Sequence, residues 1–117
     1  MRVIIWEELF TVAKVKKPIE NAFALIQDKR EITAIAESSK LDPETVIEKE
    51  DGWRLLTFDA VLPFNLVGFL AKVSSALAEE GISILAISSF STDHILVKEE
   101  DLEKAVKKLK TLGFDVI

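Results

Sequence analysis

Residues 65–97, "NLVGFLAKVSSALAEEGISILAISSFSTDHILV", pass from a helical to an extended pattern, and that passage decides the fold. Leu66, Leu70, Val73 and Leu77 recur at helical spacing. Asn65 is placed to act as N-cap, Phe64 and Phe69 stand in the two positions of a hydrophobic staple, and Gly81 sits where a helix-ending glycine belongs. "ISILAISSF" and "DHILV" then read as two strands, joined tightly through the small polar residues Ser91 and Thr92.

The flanks extend the pattern. "WRLLTFDAVL", Trp53 to Leu62, carries β-branched and aromatic residues in partial alternation and reads as a strand stopped by Pro63. Beyond the hairpin, Leu102, Ala105, Val106, Leu109 and Leu112 share one face of a second helix that Gly113 ends. Glu99, Glu100 and Asp101 lie at its start and Lys104, Lys107, Lys108 and Lys110 towards its end, as the helix dipole favours. The one basic cluster is therefore read as a solvated helix end. "FDVI" closes as a short strand, giving the order β-α-β-β-α-β of a ferredoxin-like α+β unit, with an antiparallel sheet and helices on one face.

The first half echoes this order weakly. "LFTVAKVK" (Leu9 to Lys16) reads as a strand, "PIENAF" as a brief turn or helix, and "ALIQDKREITAIAES" as a hairpin turning near Asp28 to Arg30. "LDPET" offers a short helical turn before a strand from Val46 to Glu50. The expectation is two ferredoxin-like subdomains side by side, a degenerate one over residues 1–51 and a fuller one over 52–117, with "EDGW" (Glu50 to Trp53) as their junction.

Composition narrows the function classes. A chain of 117 residues with 49% hydrophobic and 30% charged residues belongs with ordinary globular domains and can bury a core. No apolar run approaches the roughly 20 residues of a membrane span, and "MRVIIWEEL" is too short and too soon acidic for a signal peptide, so the cytoplasm is the expected compartment and no membrane partner is expected. The absence of cysteine excludes disulfides, thiolate nucleophiles, thiolate zinc sites and iron–sulfur clusters. A formal net charge of −5 opposes nucleic-acid binding, which rewards clustered Lys and Arg.

"GISILAISSFSTDHILVKEEDLEKAVKKL" resembles the C-terminal part of an ACT domain, the small ligand-binding module of the regulatory parts of aspartokinases. Taken with "GW" at Gly52 and Trp53 and with the loop and helix "PF..VGFLAKVSSALAEEGI", the chain is similar to the stand-alone tandem ACT proteins related to the CASTOR-type arginine sensors. The likeness is strong from Glu50 onward and weak before it. It implies paired ferredoxin-like subdomains, a small ligand, usually an amino acid, at an ACT interface, no catalysis and no cofactor. It also implies oligomer formation, as a homodimer or with a regulated protein partner. Relatives often carry an aromatic residue where His94 stands, and the first half has no glycine loop of its own.

The candidate site has two parts. Asn65, Leu66, Val67, Gly68 and Phe69 form a loop and helix start, with Gly68 read as lying in the first helical turn, where glycine costs about 1 kcal/mol relative to alanine. Close approach of a ligand carboxylate to the first-turn amides would compensate; so would close packing on a neighbouring strand. Asp93 at the head of the second hairpin strand would pair with a ligand's ammonium or guanidinium group, or else bond its own turn backbone. Ser89 and Thr92 are weaker candidates, since hairpin hydroxyls usually satisfy local backbone.

His94, the only histidine, supplies with Ser91 and Asp93 the residue types of a nucleophilic triad. Adjacent strand residues point to opposite faces, however, and no G-x-S-x-G elbow is present, so no catalytic residue is assigned. One histidine without cysteine makes no transition-metal site, and four widely separated glycines make no P-loop or dinucleotide fingerprint. The expected function is a non-enzymatic amino-acid sensor; the alternative is a structural oligomerisation or protein-interaction module without a ligand.

Overall fold

The computed structural model describes residues 1–63 and 65–117. The element order is β1 (Arg2–Val15), β2 (Ala24–Gln27), β3 (Ile32–Glu37), β4 (Val46–Asp59), α1 (Phe69–Glu79), β5 (Ile84–Ser88), β6 (Asp93–Lys98), α2 (Leu102–Thr111) and β7 (Asp115–Val116), with 3₁₀ turns at Ser38–Lys40, Pro43–Thr45 and Glu99–Asp101. The chain divides into two compact units, one of Met1–Glu7 with Arg54–Ile117 and one of Glu8–Trp53, so β1 and β4 each supply residues to both.

In the first unit β4 lies between β1 and β6, β5 flanks β6, and β7 pairs with β1 in parallel through Arg2↔Asp115 and Val3↔Val116. The hairpin β5–β6 is antiparallel, with Ser88 opposite Asp93 and Ile87 opposite His94. A ferredoxin-like unit built from residues 52–117 alone would set its last strand against its first. Here β1 stands between β7 and β4, and the Arg2 guanidinium donates to Asp59 Oδ2 through Nε at 3.2 Å and Nη2 at 2.7 Å.

The core of this unit follows from the helical and strand periods. Val73 and Leu77 of α1 and Ala105 and Leu109 of α2 pack with Val3, Leu56, Phe58, Ile95 and Val97 from the strands. Phe58 sits edge-on to Phe69 at a centroid distance of 5.1 Å and tilted to Phe114 at 5.4 Å. Gly81 and Gly113 end the helices as expected: Ile82 N–H bonds Leu77 O at 3.1 Å and Phe114 N–H bonds Leu109 O at 3.2 Å. Among the described residues no helix is long and apolar enough to cross a membrane.

In the second unit β3 lies between β2 and β1, pairing antiparallel with both, and β4 lies on the other side of β1. Ala13, Val15 and Ala34 form its small core, with Ile19, Ile32, Leu41 and Val46 against it. The β2–β3 turn is where the sequence places it, and Asp28 Oδ1 accepts the N–H groups of Arg30 and Glu31 at 2.8 and 3.0 Å. "LDPET" is the expected helical turn, with Asp42 capping Glu44 N–H. "PIENAF" is the turn rather than the helix, with Asn21 at φ 63°.

Four expectations on element bounds are corrected. The separate strands expected over Val46–Glu50 and from Trp53 are one strand, β4, which runs through "EDGW" with Gly52 at φ 81°. The strand expected to reach Leu62 ends at Asp59, and the hairpin loop is Ser89–Thr92 rather than Ser91–Thr92, closed by Ser89 N–H to Thr92 O at 2.9 Å. Asn65 is not the N-cap of α1. Gly68 is the cap, at φ 86°, and a left-handed residue cannot carry a right-handed helix through itself, so α1 starts one residue later. The staple pair with Phe64 lies outside the described residues.

Candidate functional site

Gly68 sets one wall of a cavity of about 330 Å³ in the first unit. Its positive φ turns the chain into α1 with no side-chain cap, so the N–H groups of Phe69, Leu70 and Ala71 precede the first helical bond, Lys72 N–H to Gly68 O at 2.9 Å. All three of these residues line the cavity. A Cβ at Gly68 would meet nothing within 4 Å, so its requirement is conformational rather than steric. Gly68→Ala is accordingly expected to destabilise the protein by about 1–2 kcal/mol, read as a lower urea midpoint with unchanged cooperativity.

The opposite wall is the hairpin loop. Ser88, Ser89, Phe90, Ser91, Thr92 and Asp93 line it, and the register that pairs Ser88 with Asp93 lets the Ser88 hydroxyl donate to Asp93 Oδ1 at 2.6 Å. That bond fixes the half-buried carboxylate while leaving Oδ2 to a further donor. Thr92 donates its hydroxyl to Phe58 O, and Leu62 N–H bonds Ser91 O at 2.6 Å, which ties the loop to the end of β4. Of the residues singled out from sequence, Leu66, Gly68, Phe69, Ser89, Thr92 and Asp93 meet in this cavity. Asn65 and Val67 are exposed and lie outside its lining.

Sequence reasoning passed over Ser88 and Phe90 and took Ser91 only as a turn residue and a rejected nucleophile, although all three line the cavity. Pairing the two strands residue by residue across a four-residue loop would have put Ser88 beside Asp93.

Behind the loop, His94 is buried, and it does not face Asp93. Trp6 Nε1 donates to Thr57 Oγ1 at 2.9 Å, Thr57 Oγ1 lies 2.8 Å from His94 Nδ1, and His94 Nε2 lies 3.2 Å from Ser89 Oγ, which donates to Thr92 O at 3.1 Å. Since the Ser89 proton is committed to Thr92 O, Ser89 Oγ accepts from Nε2–H, and Nδ1 of the neutral imidazole accepts the Thr57 hydroxyl proton. Ser91 has no place in it, and the arrangement is a structural support for the loop.

Burial holds the His94 pKa below its ordinary value, while the charge of Asp93 acts the other way. In the unfolded chain the imidazole takes up a proton near its usual pKa of about 6.5, before the folded chain does, so the unfolded state binds more protons in that window. Stability is expected to fall as pH drops from about 7 through the depressed folded pKa, and His94→Asn to flatten that part of the thermal-midpoint profile.

The cytosolic arginine sensor for mTORC1 subunit 1 of Homo sapiens, and equally that of Bos taurus, is 31% identical over 93 residues, 76% of this chain; the chain spans 28% of that sensor's length. A protein from Agobacterium tumefaciens superposes with a TM-score of 0.85 at 22% identity, over 99% of this chain and 91% of that one. The ligand-free regulatory subunit of aspartate kinase from Thermus thermophilus does so at 0.69 and 14% identity, over 93% and 94%. The two superposed structures share the α+β fold. The ACT domain pattern matches residues 48–111, a stretch that takes in Gly68, all of α1, the β5–β6 hairpin and all of α2, and with them both walls of the cavity; the chain belongs to the ACT domain family.

Proposed function

We propose that this chain is a non-catalytic, cytoplasmic sensor module that binds a small α-amino acid in the Gly68–Asp93 cavity, where a second ACT surface covers the ligand. The observation that carries the reading is that one cavity gathers uncapped helix amides and a carboxylate held by a single hydroxyl. The amides and the positive end of the α1 dipole suit a ligand carboxylate, and Asp93 suits its cationic end. The volume lies at the small end of the range of about 300–1,000 Å³ usual for ligand pockets. Relatives whose names describe a sensor and a regulatory subunit agree with this role.

The rim supports the second surface. Phe90, which lines the cavity, is 80% exposed, and Val61 and Val67, next in sequence to the lining residues Leu62, Leu66 and Gly68, are 81% and 91% exposed; such apolar exposure favours a cover of matching chemistry. A second copy of the chain supplies one. The same rim is the observation that favours the alternative, a structural oligomerisation module with an empty cavity. A thermal-shift screen against the common amino acids separates them: a ligand bound only by the native state adds about 2.7 kcal/mol at one hundred times its Kd. A selective shift supports the sensor. A flat screen, with a dimer in sedimentation that Phe90→Ser dissociates, supports the structural module.

A further inference from the structure

We infer that the cavity of about 340 Å³ in the second unit, where Lys14 and Lys16 meet Lys29 and Arg30, is an anion site that takes a phosphomonoester with a small apolar carbon part. It shares no lining residue with the Gly68–Asp93 cavity, so the inference does not rest on the function proposed above.

Folding, rather than sequence, gathers this charge. Lys14 and Lys16 precede β2 and Lys29 and Arg30 follow it; the register that sets Val15 opposite Ile32 brings the two pairs to one end of the sheet. Backbone bonds hold both walls. Lys16 N–H bonds Thr45 O at 2.9 Å, which ties the end of β1 to the start of β4, and Asp28 N–H bonds Glu31 O at 3.1 Å across the β2–β3 turn. Asp28 Oδ1 accepts the N–H groups of Arg30 and Glu31, and these bonds hold its pKa below the ordinary value. That carboxylate is therefore engaged by its own turn.

Four cations line the cavity against two carboxylates, Asp28 and Glu31. Lys14 Nζ stands 3.9 Å from Glu31 Oε1, a loose pair of half-exposed groups that holds weakly against water. Among the described residues Lys16, Lys29 and Arg30 take part in no ion pair. Three such cations around one hollow make a local positive potential in a chain whose formal net charge is −5. A phosphate dianion relieves more of their mutual repulsion than a single carboxylate does, and the planar fork of Arg30 matches two phosphate oxygens. The lining also holds Val15, Ile32 and Ile47, the last of them 51% exposed. That aliphatic surface suits the carbon part of an ester, which inorganic phosphate lacks.

The test is an amide NMR titration of the full chain with phenyl phosphate, following Lys16, Lys29 and Arg30, at about 0.15 M salt so that loose surface attraction is screened. Saturable shifts are expected, unchanged in Asp93→Ala and about tenfold weaker in Arg30→Gln, which keeps the backbone N–H that Asp28 accepts. Benzoate has the ring with one charge and inorganic phosphate has the charge without the ring. Each should bind about tenfold more weakly than phenyl phosphate. Vesicles containing phosphatidic acid separate the sources of the ester: co-sedimentation that phenyl phosphate competes away places it on a lipid headgroup, and no co-sedimentation on a soluble molecule. The inference is overturned by no saturable shift, by unchanged affinity in Arg30→Gln, by loss of the shifts in Asp93→Ala, or by benzoate or inorganic phosphate binding as tightly as phenyl phosphate.

Discussion

Replacing Phe58 with alanine is expected to remove about 3–5 kcal/mol of stability, a large share of the roughly 5–15 kcal/mol that holds a domain together. Phe58 is fully buried and is the ring on which Phe69 and Phe114 both lean, at 5.1 and 5.4 Å, while those two lie 6.2 Å apart. Its removal leaves a void that neither neighbour can fill without giving up its edge contact. The loss reaches the cavity, because Phe69 is the first residue of α1 and lines the wall that Gly68 opens. A urea titration reads the first effect as a lower midpoint with an unchanged slope. Weaker amino-acid binding under conditions where the variant remains folded reads the second.

Asp93→Ala is expected to weaken amino-acid binding by about tenfold to a hundredfold, since a charge-assisted hydrogen bond contributes about 1.5–3 kcal/mol. Its stability cost should stay below about 1 kcal/mol, because the bond lost in the fold is the exposed one from Ser88. Asp93→Asn separates charge from shape: it keeps an oxygen for the Ser88 hydroxyl and loses the negative charge. Calorimetric titration of both variants with whichever amino acid the thermal screen selects should find them equally impaired. Unchanged affinity in both would remove Asp93 from ligand recognition and leave it as a turn residue.

Much of the first unit was legible because its elements are local. The helical recurrence of Leu70, Val73 and Leu77, and that of Leu102, Ala105 and Leu109, each mark a buried face within one stretch of chain. The cavity was legible in part for the same reason, since Gly68 and Asp93 are unusual residues for their positions. What failed depends on distant partners. Val3 to Trp6 has a strand's composition but was not read as one, and the partner of Arg2 and Val3 is β7, more than a hundred residues away in sequence. Asn65 is a better capping side chain than glycine, yet backbone conformation at Gly68 decides where α1 begins. The hydrogen bonds that join Thr11, Ser38 and Asp51 left no trace in sequence, because each looks like an ordinary polar residue until folding brings them together.

The parallel pairing of β1 with β7 also sets the order in which the molecule can assemble. Arg2 and Asp115 are neighbours in the sheet although almost the whole chain separates them. Closing so long a loop demands its entropy before the pairing gives anything back. The hairpin β5–β6 and the helices can form early from local contacts, but the sheet of the first unit cannot be completed until residues 115–116 have arrived. The edge of β1 that β7 will cover stays open through that interval, a template for strand addition by another chain. Refolding yield should therefore fall with protein concentration, the kinetic counterpart of a sheet closed by the two ends of one sequence.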